Sequence, residues 1–363
     1  MTRVAAVCVL SLAGCVHTEV VASEISATSS ADTGSDGAAT QGATDDTGET
    51  GATPQTCDAP VPTAGCDEDA DPLRAPEITC HPGIEAATFQ TADGNAWRSA
   101  HEFGNAFWVG EDSHAVLVLS TGTLPLADPA GQVAVDPGAA QLASVANANP
   151  DDGVLPDPIV IAPGSNGGAG GTPYFDCDGI GDCSETLPTA LAGVTAQDLI
   201  WLRFEVDVPA DVHGYAVRVA LLTAEYPERL GQAAADTFIW WSRGDTFTGN
   251  LATLAGQPAT PSGLATRLSL HTLDDPMLLR TGFDGGTGQP CSVGGTDVPD
   301  CPIGASTGWL TLRGPAEPGE HLTITAALFD AGDALLDTVV VLDDWHWECA
   351  GCRPGETCGL SVP

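Results

Sequence analysis

The chain has 363 residues and a formal net charge of −38 at pH 7, with 49 Asp and Glu against 11 basic residues, every one of them Arg. A field of that sign repels nucleic acid and anionic headgroups and favours divalent cations or cationic partners, unless it serves only solubility in a salty exterior. Forty-three Gly and 27 Pro argue against long helices.

In chain order, the first segment carries Arg3, a short apolar run from Val4 to Leu12 and the tetrapeptide Leu12-Ala13-Gly14-Cys15. A charged start, a brief apolar stretch and small residues before a cysteine make a bacterial lipobox, with residues 1–14 as signal peptide and Cys15 as the lipidated residue. An ordinary secretory signal is the plainer alternative. The run is far shorter than the ~20 residues of a spanning helix, so the expected membrane partner is reached through acyl chains on Cys15, several of which hold durably. Val16 in place of Asp favours the outer membrane or cell surface over the inner membrane.

Residues 15–72 are dominated by Ala, Thr, Ser, Gly, Asp and Glu, with 12 acids and no Arg or Lys after Cys15. Such a segment cannot bury a core and reads as a disordered, self-repelling tether. With those acids and Arg3 set aside, 37 acids face 10 Arg from Leu73 onward, about −27, so the folded part is acidic too.

The span 73–348 is read as one domain, with 349–363 as a Cys-rich tail. Strands are expected at Ala115–Ser120, Leu199–Val206, Tyr215–Leu222, Thr237–Trp241, Trp309–Leu312, Leu322–Leu328 and Thr338–Leu342, short runs of β-branched and aromatic residues closed by Gly, Pro, Asp or Asn. Leu202, Phe204 and Val206 share one face while Arg203, Glu205 and Asp207 share the other, the half-buried pattern of an antiparallel sheet. The expected fold is all-β, an antiparallel β-sandwich of jelly-roll-like form with long disulfide-clipped loops. Short helices are expected at Gly138–Asn147 and Ala190–Leu199.

Apart from Cys8 and Cys15, ten cysteines remain: Cys57, Cys66, Cys80, Cys177, Cys183, Cys291, Cys301, Cys349, Cys352 and Cys358. An even number at short spacings in an exported chain argues for disulfides. Cys177 with Cys183 and Cys291 with Cys301 read as local clips. Three cysteines at each end of the domain require one bond between the ends. A zinc ribbon built on Cys349-Ala350-Gly351-Cys352 is the competing reading, and a second CxxC that it would need is absent.

The stretches Ser120-Thr121-Gly122, Thr223-Ala224-Glu225-Tyr226-Pro227-Glu228 and Ala235-Asp236-Thr237-Phe238 resemble, in order and spacing, the bacterial choice-of-anchor L domain. Gly308-Trp309-Leu310-Thr311-Leu312, Pro318-Gly319-Glu320, Leu328-Phe329-Asp330-Ala331-Gly332-Asp333 and the run from Asp337 to Asp343 are similar to that family's closing strands and turn. The resemblance covers most of 115–348 and implies an exported, sandwich-like domain displayed on bacterial surfaces, without an established activity. Ala224 and Ala235 stand where the family has a second Glu and an Asn, and the anchor is N-terminal lipid rather than a C-terminal sorting tail.

Candidate chemistry centres on Glu225, Asp236, Asp330, Asp333 and Asp337, carboxylates at strand ends and in one turn whose hard oxygens suit structural Ca²⁺. The bland alternative is that Asp330 and Asp333 shape a tight turn with Gly332. A second acidic loop, Asp176, Asp178 and Asp182, starts like a calcium loop but has Leu187 where an EF-hand has its bidentate Glu. Gly304-Ala305-Ser306-Thr307-Gly308 matches G-x-S-x-G without a strand before and a helix after it. Trp241, Trp345 and Trp347 are candidates for stacking on an extracellular glycan or protein ligand, against the commoner role of core plugs. The expected function is a non-catalytic, calcium-stabilised binding or adhesion module; the alternative is a secreted glycan-acting hydrolase using paired carboxylates.

Overall fold

A computed structural model describes Cys57, residues 59–62 and most of 71–363; outside the described residues lie 1–56, 58, 63–70, 111–113, 136–146, 150–153, 161–180, 184–185, 188–190, 192–194, 228, 232–234, 273–274, 285–288, 294–295, 302–303 and 333. The lipobox, nearly all of the acidic tether and all but Asn147 of the expected 138–147 helix therefore fall outside them. Eleven strands carry the fold: β1 (Ile84–Gln90), β2 (Trp97–Ala100), β3 (Val116–Ser120), β4 (Ala196–Asp207), β5 (Gly214–Thr223), β6 (Thr237–Arg243), β7 (Phe247–Asn250), β8 (Leu310–Pro315), β9 (His321–Ala331), β10 (Thr338–Glu348) and β11 (Gly359–Ser361). All seven runs expected as strands are strands.

One sheet has the order β1-β4-β9-β6-β7, antiparallel at every step, with Gly181–Asp182 added in parallel beyond β7. The other runs β11-β8-β5-β10-β3-β2, also antiparallel at every step. Successive long strands alternate between the sheets: β4, β6 and β9 lie in the first, and β5, β8 and β10 in the second. This alternation makes a sandwich, because each strand presents every second side chain to the opposite sheet.

The inner layer is aromatic. Phe204 on β4, Trp240 on β6, Tyr215 on β5 and Trp345 on β10 are fully buried. Phe204 meets Trp345 edge-on at 5.5 Å, Trp345 meets Trp347 at 4.9 Å, and the Trp240 Nε1–H donates to the Tyr215 hydroxyl at 3.3 Å. Along β4, Leu202, Phe204 and Val206 are buried, Arg203 and Glu205 half-buried and Asp207 exposed, as the alternation requires. Burying one such large apolar side chain contributes roughly 1.5–3 kcal/mol.

Both outer faces are roofed as well, and this corrects the expectation for the tryptophans. Trp241 lies on the outer face of the first sheet under Ile159, Leu187 and Leu191, and is fully buried; Trp345 and Trp347 belong to the inner core. None of the three can stack on a ligand. On the second sheet, Trp108, Phe103 and Phe283 form a separate buried layer with Val118 and Val341.

The disulfide Cys57–Cys349 joins the two ends of the domain across 292 residues, as the cysteine count requires. Cys352 pairs with Cys358, and Cys80 and Cys183 are also disulfide-bonded. Cys66 and Cys177 lie outside the described residues, while Cys291 and Cys301 sit on the paired strands of the hairpin Gln289–Val293/Thr296–Cys301. Residues 349–363, expected as a tail, instead supply β11, which pairs with β8. The helix expected at Ala190–Leu199 is another correction: Ala196 to Leu199 begin β4, where Ala196 and Gln197 pair with Ala331 and Asp330. Strand pairing there overrides an Ala-rich local preference.

Candidate functional site

The carboxylates expected at loop tips converge at one end of the sandwich and are buried. Antiparallel pairing sets Phe329 of β9 against Thr237 of β6. One step further along, that register brings Asp330 opposite Asp236. A bulge between Leu328 and Asp330 in the β9–β4 ladder accompanies the turn of the strand there. Glu225, just past the end of β5, accepts the Asp236 amide on Oε2 at 2.9 Å. Glu225, Asp236, Asp330 and Asp337 are each no more than 2% exposed, and Asp333 lies outside the described residues.

Hydroxyls frame this end. Thr338 opens β10 with its hydroxyl 3.0 Å from that of Thr223, and Thr223 Oγ1 accepts the Glu225 amide at 3.0 Å. Thr121 Oγ1 accepts the Thr338 amide at 2.9 Å, and the Asp337 carbonyl accepts the Ala224 amide at 3.0 Å. Sequence reasoning passed over these threonines. Their signal was the Ser-Thr-Gly run at the end of β3 and a Thr at the facing ends of β5 and β10.

Burial raises the Asp236 carboxyl well above the usual carboxylate range, with the neighbouring Asp330 and then Glu225 charges pushing the same way. The side chains of Asp330 and Thr338 lie beside the Asp236 carboxyl. The oxygens suit a hard cation by type, but among the described residues no group of three or more His, Cys, Asp or Glu is arranged to hold a metal ion.

The other candidates separate from this end. Asp176 and Asp178 lie outside the described residues, and Asp182 falls on the short strand beside β7. Ser306 of the G-x-S-x-G match is buried in the two-residue strand Ala305–Ser306, which pairs with the end of β5, and its Oγ accepts the Gly308 amide at 3.1 Å. No nucleophile elbow forms, since no helix follows. A half-buried ion pair joins Arg218 to the buried Asp343 at 2.7 Å, with the guanidinium 4.4 Å from the centre of the Trp309 ring. An open concavity of about 600 Å³ is lined by His213, Asp245, Thr246, Glu317 and Arg353 among others.

No family model, curated protein or solved structure matches the chain. Among the described residues no helix is long and apolar enough to cross a membrane.

Proposed function

We propose that this chain is an exported, lipid-anchored protein of the bacterial cell envelope whose sandwich serves as a non-catalytic binding or adhesion module of choice-of-anchor L type. The observation that carries the reading is the disulfide closure of the domain, Cys57–Cys349 with Cys352–Cys358. Thiols persist in reducing cytosol and pair outside it, so a domain tied end to end by cystine supports maturation beyond the inner membrane. Cys15 supplies the anchor, the acidic linker the reach, and the sandwich the displayed surface. Burial of Glu225, Asp236 and Asp330 speaks for a structural role, because a glycan cannot reach carboxylates that are no more than 2% exposed.

The test is display and binding together. Protease applied to intact cells should release the sandwich from its linker, and the released domain should retain cells or immobilised glycans without consuming them. A chain resistant to protease in intact cells, or turnover of a glycan, contradicts the proposal. The hydrolase alternative has one observation in its favour, Asp245 and Glu317 on the open concavity. Asp245→Asn and Glu317→Gln would abolish turnover in that case and leave binding unchanged in ours.

A further inference from the structure

The first sheet ends on β1, and the side of that strand facing away from β4 has no partner among the described residues. Ala86, Ala87, Thr88 and Gln90 are exposed, and Ile84 and Phe89 only half-buried. An open strand edge is a template for a further strand, and proteins commonly block it with charge, proline, a bulge or a covering segment. The other edges of the two sheets are blocked in these ways. Gly181–Asp182 pairs along β7 in the first sheet. In the second, the loop after β3 lies against β2, where the Leu124 and Pro125 carbonyls take the Arg98 guanidinium and the Gly131 carbonyl takes the His101 amide. The opposite edge of that sheet ends on Gln257–Pro258, and proline has no amide to donate. By contrast, Ala86-Ala87-Thr88-Phe89-Gln90 carries neither charge nor proline, and the one bulge of β1 lies before it, between Ile84 and Ala86. We propose that this rim is an interaction surface for a second copy of the chain, the two β1 strands pairing antiparallel across a two-fold axis so that the first sheets join edge to edge.

Charge selects the occupant. The chain carries −38 overall, yet copies set antiparallel about Thr88 place Ala86 opposite the partner's Gln90, Ala87 opposite the partner's Phe89 and Thr88 opposite its own counterpart. No like charges face each other, and Glu85 stands by the partner's Thr91 rather than by a second Glu85. A cationic strand gains nothing from a rim without carboxylates, whereas a second β1 supplies a neutral strand of matching pattern. Side chains favour the same partner. Phe89 meets Trp97 of β2 edge-on at 5.1 Å, and both are half-buried at the open seam between the sheets. Ala87 shares the face of Phe89, so the partner's Ala87 lands over that ring and covers it. Such a contact is isologous, one patch meeting itself, and closes at two copies. Its small area makes it weak and reversible. The acidic domains behind the rim repel each other, and salt screens that repulsion, so the pair tightens as salt is added.

Sedimentation of the full chain across protein and salt concentration tests the edge, with Cys15→Ser in every sample so that acyl chains bring no copies together. The parent should pass from monomer to dimer as its concentration rises, and at lower concentration in higher salt, with slower hydrogen exchange of the 86–90 amides in the dimer. Thr88→Glu and Thr88→Lys, both on the exposed rim, should each raise the dissociation constant several-fold, and an equimolar mixture of the two should restore dimers holding one copy of each. If either variant fails to fold, the concentration dependence of exchange in the parent decides alone. A monomer at every concentration up to ~1 mM overturns the proposal; so does a dimer indifferent to both charges, or a rim already protected from exchange in the monomer. All of these results leave the envelope reading untouched, because no anchor and no displayed ligand enters them.

Discussion

The two ends of β10 bury ionisable groups of opposite character. At its start, Thr338 adjoins the Asp236–Asp330 pair. Seven residues on, about 23 Å along the strand at 3.3 Å per residue, Trp345 takes the edge of the His81 ring at 5.0 Å and donates its amide to the Pro76 carbonyl at 3.0 Å. Burial drives the Asp236 carboxyl up and the His81 imidazole down, to about 4, because in each case it disfavours the charged form. One end is held by aromatic packing and a cystine, the other by threonine hydroxyls around buried carboxyls. The comparison teaches that burial alone does not tell a stabilising element from a switchable one; the protonation state demanded by the surroundings does.

The largest break in this comparison should come from the cystine. Cys57→Ser opens a 292-residue loop, and in the chain-entropy picture this costs roughly 5 kcal/mol. Chemical denaturation should show that loss, and an unchanged midpoint would show that the ends hold without the bond. Trp345→Ala comes next, at about 3–5 kcal/mol for emptying a buried aromatic site. It should remove the acid-sensitive end and leave the carboxyl end in place, read from melting curves across pH.

His81 sharpens the contrast through its sign. Its folded value of about 4 lies below the ordinary 6.5, so its contribution is complete above 6.5 and is lost as the pH falls from there towards 4. The loss amounts to no more than about 3.5 kcal/mol at 1.36 kcal/mol per pK unit. His81→Phe, which keeps a ring against Trp345, should flatten that acid limb; a limb of unchanged steepness would remove His81 from the account. The smallest effect is expected on the outer face of β4. Arg203 lies 5.6 Å from the Trp201 ring centre and donates to the Asp157 carbonyl at 2.9 Å. Arg203→Ala should cost about 0.5–1 kcal/mol, with no change in the acid limb.

Much of the fold was legible because its signals are local. Period-two alternation from Leu202 to Asp207 marks β4, and three cysteines at each end of the domain force the tie that Cys57 and Cys349 make. What the residues concealed depends on distant partners. Trp241 looked free on one face of β6 because Ile159, Leu187 and Leu191, which cover it, come from segments 50 to 80 residues away. Glu225, Asp236 and Asp330 were legible as a set, but their burial and the facing of Asp236 and Asp330 follow from β6 pairing with β9 across the chain. Acids at strand ends usually mark solvated tips, which is why they read as calcium ligands.

The envelope account stands most directly on the mature protein's mass. Intact-mass and peptide analysis of material from its own cells should give an amino terminus at Cys15 carrying acyl chains, with Cys57 joined to Cys349. An unacylated terminus together with free Cys57 and Cys349 thiols would contradict it.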